Sequence, residues 1–149
     1  MIFQRYLVVL VLATTTLAGC GLGQPPPPTP LPFARHTALD VANAFAAAGL
    51  SVQNPVRDLV VGREAPSTFN DRYTFEIDAV APDGGQILIF NDPARLGEWE
   101  AYVNRLRSTS STRRDVVYTY LHHNVLLQLN ANLLPDQAAA YRDALEGIG

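Results

Sequence analysis

The sequence predicts an α+β fold. It reads as a single domain in the order α-β-β-β-α-β-β-α, with about five mostly antiparallel strands and the helices packed on one face. Three observations predict this. Alternating apolar and polar residues recur over 73–90 and 116–130, each stretch interrupted by a turn. Apolar stripes at helical spacing lie before, between and after these stretches. About 115 residues follow a proline-rich segment, enough for one self-sufficient core.

The first helix is expected to start at Thr37. Thr37 suits an N-cap, and Asp40 three residues on completes a capping box. Ala38, Val41, Ala42, Phe45 and Ala48 form its apolar stripe, and Gly49 supplies a left-handed C-terminal position. A short strand over Leu50 to Gln53 should follow, ended by Pro55. Residues 54–71 carry little pattern, with Leu59-Val60-Val61 as a further short strand among loop residues.

Tyr73 to Val80 alternates: Tyr73, Phe75, Ile77 and Ala79 on one side, Thr74, Glu76 and Asp78 on the other. Pro82-Asp83-Gly84-Gly85 reads as a turn, and Gln86 to Phe90 as the returning strand. A four-residue loop would set Ile77 across from Phe90 and Ala79 across from Leu88. Asp92 and Pro93 open the second helix as N-cap and first residue. Its buried stripe is Leu96, Trp99, Tyr102, Val103 and Leu106, and Ser108 to Thr112 is a polar loop. Val116 to Asn130 reads as a second hairpin with its tip at His122-His123. That register pairs Tyr120 with Val125, Tyr118 with Leu127 and Val116 with Leu129, all on one face. The last helix starts at Pro135, with Leu134, Ala138, Tyr141, Leu145 and Ile148 as its stripe. The third strand, second helix and fourth strand are expected to form a right-handed crossover.

Charge excludes one class of partner. All 11 basic residues are arginine, and there are 14 acids. Past the leader the balance is ten against 14, a net of −4, which argues against a nucleic-acid binder. The single cysteine, Cys20, cannot form an internal disulfide, so the fold must rest on its core.

The N-terminus has its own logic. Arg5 precedes an uncharged, mainly apolar run from Tyr6 to Leu17, then small residues: the layout of a secretory signal. At roughly 12 residues the run falls short of the ~20 that span a bilayer as a helix. Leu17-Ala18-Gly19-Cys20 resembles the lipobox of bacterial lipoproteins. The resemblance covers the first 20 residues only. It implies cleavage before Cys20, a diacylglyceryl group on its thiol, and an extracytoplasmic protein anchored by lipid in a bacterial cell envelope. The expected division is a signal peptide over 1–19, the lipidated cysteine and proline-rich linker over 20–32, and the globular domain over 33–149. Gly21 to Pro32 holds six prolines in twelve residues, which favours extended polyproline II. Such a spacer would hold the domain on the order of 30 Å from the lipid.

Within the domain no motif names a reaction. There is no Gly-x-Ser-x-Gly turn, phosphate loop or dinucleotide fingerprint. Ser51, Ser67, Ser108, Ser110 and Ser111 fall mostly in loops. Glu76 and Asp78 share a strand face, as solvated side chains do more often than glycosidase pairs. Arg105, Arg107, Arg113 and Arg114 surround a serine-rich loop and could meet anionic headgroups, but fit a solvated helix end better. His122 and His123 attract attention as metal ligands. On a strand their side chains would diverge, and a third ligand would have to come from afar, from Asp83 or His36. The expectation is therefore no catalytic residue, no metal site and no cofactor. The leading reading is a non-enzymatic, lipid-anchored binding or scaffolding domain whose partner is the membrane through Cys20. The alternatives are a small-ligand or metal carrier at that surface, then an undescribed hydrolase.

Overall fold

A computed structural model describes residues 32–109 and 118–149. Cys20, the leader and the linker up to Leu31 lie outside the described residues, as do Ser110, Ser111, Arg113, Arg114 and Val116. In chain order the elements are α1 (Ala38–Ala47), β1 (Gln53–Arg57), β2 (Asp71–Glu76), β3 (Gly84–Ile89), α2 (Pro93–Thr109), β4 (Tyr118–His122), β5 (Val125–Leu129) and α3 (Pro135–Glu146). The class is α+β in the predicted order. The five strands form one sheet in the order β1-β2-β3-β5-β4, each neighbouring pair antiparallel. A crossover through α2 carries the chain from β3 to β4, and β5 then returns into the gap between them.

Helix signals in the sequence translate directly. The Asp40 amide donates to Thr37 Oγ1 at 3.2 Å, and the Thr37 amide donates to the Asp40 carboxylate at 2.8 Å. These bonds satisfy donors that the first helical turn leaves unpaired. Gly49 ends α1 with φ +72°, a conformation that costs glycine nothing. Asp92 Oδ1 accepts from the Ala94 amide at 2.9 Å, opening α2. Ala138, Tyr141 and Leu145 are the buried stripe of α3. Leu134 is exposed; the neighbouring Leu133 takes the core position.

Four expectations are corrected. The first strand is not ended by Pro55 but contains it, because β1 is an edge strand where a missing amide costs no ladder bond. It carries an irregularity between Gln53 and Val56, where Asn54 has φ +47°. Leu59 to Val61 form no strand.

The β2–β3 register is the second correction. Phe75 pairs with Gly85 and Tyr73 with Ile87. Ile77 lies beyond the ladder, and Asp78–Val80 form a 3-10 turn. Gly84 and Gly85 belong to the strand, not the turn. A Cβ on Gly84 would lie 1.9 Å from the Phe75 carbonyl oxygen, and one on Gly85 2.7 Å from the Phe75 ring. Close approach, not positive φ, requires glycine here.

The third correction is the β4–β5 hairpin. Its tip is His123-Asn124, with His122 paired to Val125, Tyr120 to Leu127 and Tyr118 to Leu129. The register moves by two residues, so the predicted apolar face is kept. His123 takes φ +50°, a left-handed conformation in which His is one of the commoner non-glycine residues.

Finally, the helices do not share one face. α1 and α3 pack with Phe75, Ile77, Ile87, Ile89, Val125, Leu127 and Leu129. α2 lies on the opposite face, where Leu96, Trp99 and Val103 meet Leu88, Phe90 and Leu126. The central strands β3 and β5 are apolar on both sides, and a buried side chain of this size contributes ~1.5–3 kcal/mol over an exposed one. One layer of helix could not cover both. On the rest of the second face a polar row crosses the sheet: Arg72 donates to Gln86 Oε1 at 2.6 Å, and Gln86 donates to Gln128.

Candidate histidine site

Three histidines from two distant parts of the sequence meet where the β4–β5 turn touches the segment leading into α1 and the end of α3. His36 is the residue before the α1 cap, His122 ends β4 and His123 begins the turn. Each ring offers a nitrogen, and these nitrogens lie within 4.8 Å of one another. Ring centroids are 6.1 Å apart for His36 and His122, 5.6 Å for His36 and His123, and 4.0 Å for His122 and His123.

Asn124 explains the meeting. It is fully buried at the hairpin tip. Its Oδ1 accepts from the His36 amide at 3.0 Å and the Arg35 amide at 3.2 Å, and its Nδ2 donates to the His36 carbonyl at 2.8 Å. Its own carbonyl accepts from the Phe90 amide at 3.0 Å. One amide side chain thus sutures residues 35–36 onto a hairpin 88 positions later. The left-handed His123 turns its ring back beside His122, where a continuing strand would have sent it to the opposite face.

The three rings differ in environment. His36 is 8% exposed, and its Nε2 is buried with no hydrogen-bond partner. Burial, then the neighbouring Arg35 and His122, lower its pKa, and Asp40 opposes this weakly. His123 is exposed; its pKa is lowered too, by desolvation first and then by His122, Arg35 and His36. Both rings therefore favour the neutral form, which keeps a lone pair. His122 Nε2 lies 3.0 Å from the Ile148 carbonyl. A carbonyl only accepts, so Nε2 carries a proton, and in the neutral ring Nδ1 keeps the lone pair. The Arg35 guanidinium donates to His123 Nε2. That nitrogen is therefore an acceptor.

The other sequence candidates stay apart. Glu76 ends β2 and accepts from Asn54 Nδ2 at 3.2 Å, whereas Asp78 has left the strand, so the two do not share a strand face. Asp83 lies in the β2–β3 connection and is not among the grouped ligands. Arg105 and Arg107 are exposed near the end of α2. A cleft of about 470 Å³ lies over the polar half of the second sheet face, between Asn54, Arg72, Thr74, Gln86 and Gln128. Its side chains are largely engaged with one another: Arg72 also holds the Asp58 carboxylate at 3.0 Å.

The sequence named all three histidines but not their convergence. The missing signal was Asn124, the residue that brings His36 to the hairpin. Among the described residues no helix is long and apolar enough to cross a membrane. No protein-family model, curated protein or solved structure matches this chain.

Proposed function

We propose that the protein is a lipid-anchored binding domain, not an enzyme, displayed on the outer side of a bacterial membrane, with its ligand taken at the histidine end of the sheet. The observation that carries the binding site is the orphaned His36 Nε2. A buried polar atom without a partner costs stability, ~1–3 kcal/mol. Arg35 Nε, Thr68 Oγ1 and Trp99 Nε1 share this condition, but of these residues His36 alone is grouped with two further imidazoles. The anchor rests on Leu17-Ala18-Gly19-Cys20 and the proline-rich spacer that follows it.

Two measurements test this. Cys20→Ser in the full chain is expected to move the protein out of the membrane fraction, because stable anchoring needs at least two lipid chains and the substitution removes the attachment point. Continued sedimentation with membranes in detergent-free buffer would overturn the lipid anchor. His36→Leu, melted in the presence of a chelator, is expected to leave the melting temperature unchanged or raise it. A fall of more than about 5 °C, on the order of 1 kcal/mol, would make the ring a structural element and remove the binding site.

A further inference from the structure

We propose that His36, His122 and His123 form a site for one divalent transition-metal ion of the zinc or copper(II) class. This rests on the reading of the histidine end as the binding site, and adds the chemistry of what binds there.

The donor set decides the class. Three imidazoles suit borderline ions such as zinc, copper(II) and nickel(II); magnesium and calcium need oxygen ligands. The grouped ligands include neither carboxylate nor thiolate. Three protein ligands around a tetrahedral ion leave a fourth position for water or an exchangeable ligand, as in open zinc sites.

Geometry is close to what such an ion requires. Zinc binds imidazole nitrogen at ~2.0–2.1 Å, so the three nitrogens should stand roughly 3.3 Å apart. They lie within 4.8 Å here. Asn124 holds the backbone of His36, so the ring left to adjust toward that spacing is the exposed His123.

Each ring is also prepared for the role. His122 donates from Nε2 to the Ile148 carbonyl, the outer contact that fixes a ligating histidine's tautomer and leaves Nδ1 for the metal. His36 has a buried nitrogen without a partner, and ligation at Nε2 would satisfy it. His123 offers Nε2 to a cation already, the Arg35 guanidinium. The metal would take its place, so the Arg35 guanidinium, only partly exposed and with Nε buried, has to give up this contact when the ion binds.

Calorimetric titration of zinc chloride into the full chain, tag-free, chelator-stripped and held in detergent, tests the proposal. The expected result is saturable one-to-one binding with Kd below about one micromolar. His123→Asn should weaken it at least tenfold, since asparagine accepts the left-handed turn but offers a poor zinc ligand. His36→Leu should do the same. Circular dichroism identifies any variant that fails to fold; should His36→Leu fail, His123→Asn decides. Absence of saturable binding, or binding undiminished in a folded His123→Asn protein, overturns the metal site. The chelated melt of His36→Leu and the fractionation of Cys20→Ser are unaffected by that outcome, so the binding-domain reading stands or falls separately.

Discussion

Asn124 does at the scale of one residue what several contacts usually do together. Its side chain serves two amides and one carbonyl of residues 35–36. Asn124→Ala should leave these groups unpartnered where water reaches poorly, at a total cost of about 2–4 kcal/mol. Guanidinium unfolding of the full chain measures it; a loss under ~1 kcal/mol would show that Asn124 does not hold the segment. Thr37 and Asp40 give a second test. Bonds from the Thr37 amide and hydroxyl hold the Asp40 carboxyl below its usual value. A carboxylate depressed in the fold adds stability above its unfolded pKa, and that stability disappears as pH falls through the folded pKa. Thr37→Ala should raise the Asp40 pKa toward the ordinary value and cost about 1 kcal/mol. Carboxyl chemical shifts followed against pH read the first effect, and an unmoved titration would refute it. The capping box was legible because its signal is local, three residues apart. The role of Asn124 was not, since nothing local links it to His36.

Elements repeat this contrast between local and distant causes. The helices were read almost to the residue, because caps and apolar stripes are contained in the segment itself. The β2–β3 register was not. Alternation says which residues share a face, but not where the chain stops pairing, and Gly84-Gly85 imitates a turn. The space that Phe75 denies a side chain becomes visible only once the strands lie together. Gly84→Ala should therefore cost about 3 kcal/mol or more, because the obstructing atoms are backbone and cannot rotate aside. Loss of amide protection in β2 and β3 by hydrogen exchange would report it; full protection would contradict the close approach. The side taken by α2 was also hidden, since the residues requiring cover belong to β3 and β5. Trp99, 2% exposed, anchors that second layer. Trp99→Ala should cost ~3–5 kcal/mol. A melting temperature lowered by less than about 2 °C would place Trp99 outside the core.

For the whole molecule, class and element order followed from composition and pattern, because they depend on which segments form and not on how they meet. The histidine site depends wholly on how they meet. It joins the start of the described domain to its last hairpin, so its three members could be named beforehand but not assembled. The insertion of β5 between β3 and β4 has a further consequence for how the chain is made. A ribosome releases β3 well before β5, and until β5 arrives the two-sided apolar strand has an open edge. During synthesis Ile87, Leu88 and Ile89 present an unpaired ladder of the kind that recruits other chains. A chain truncated after Asn124 should therefore be recovered with holding chaperones in a pull-down, and the full-length chain should not.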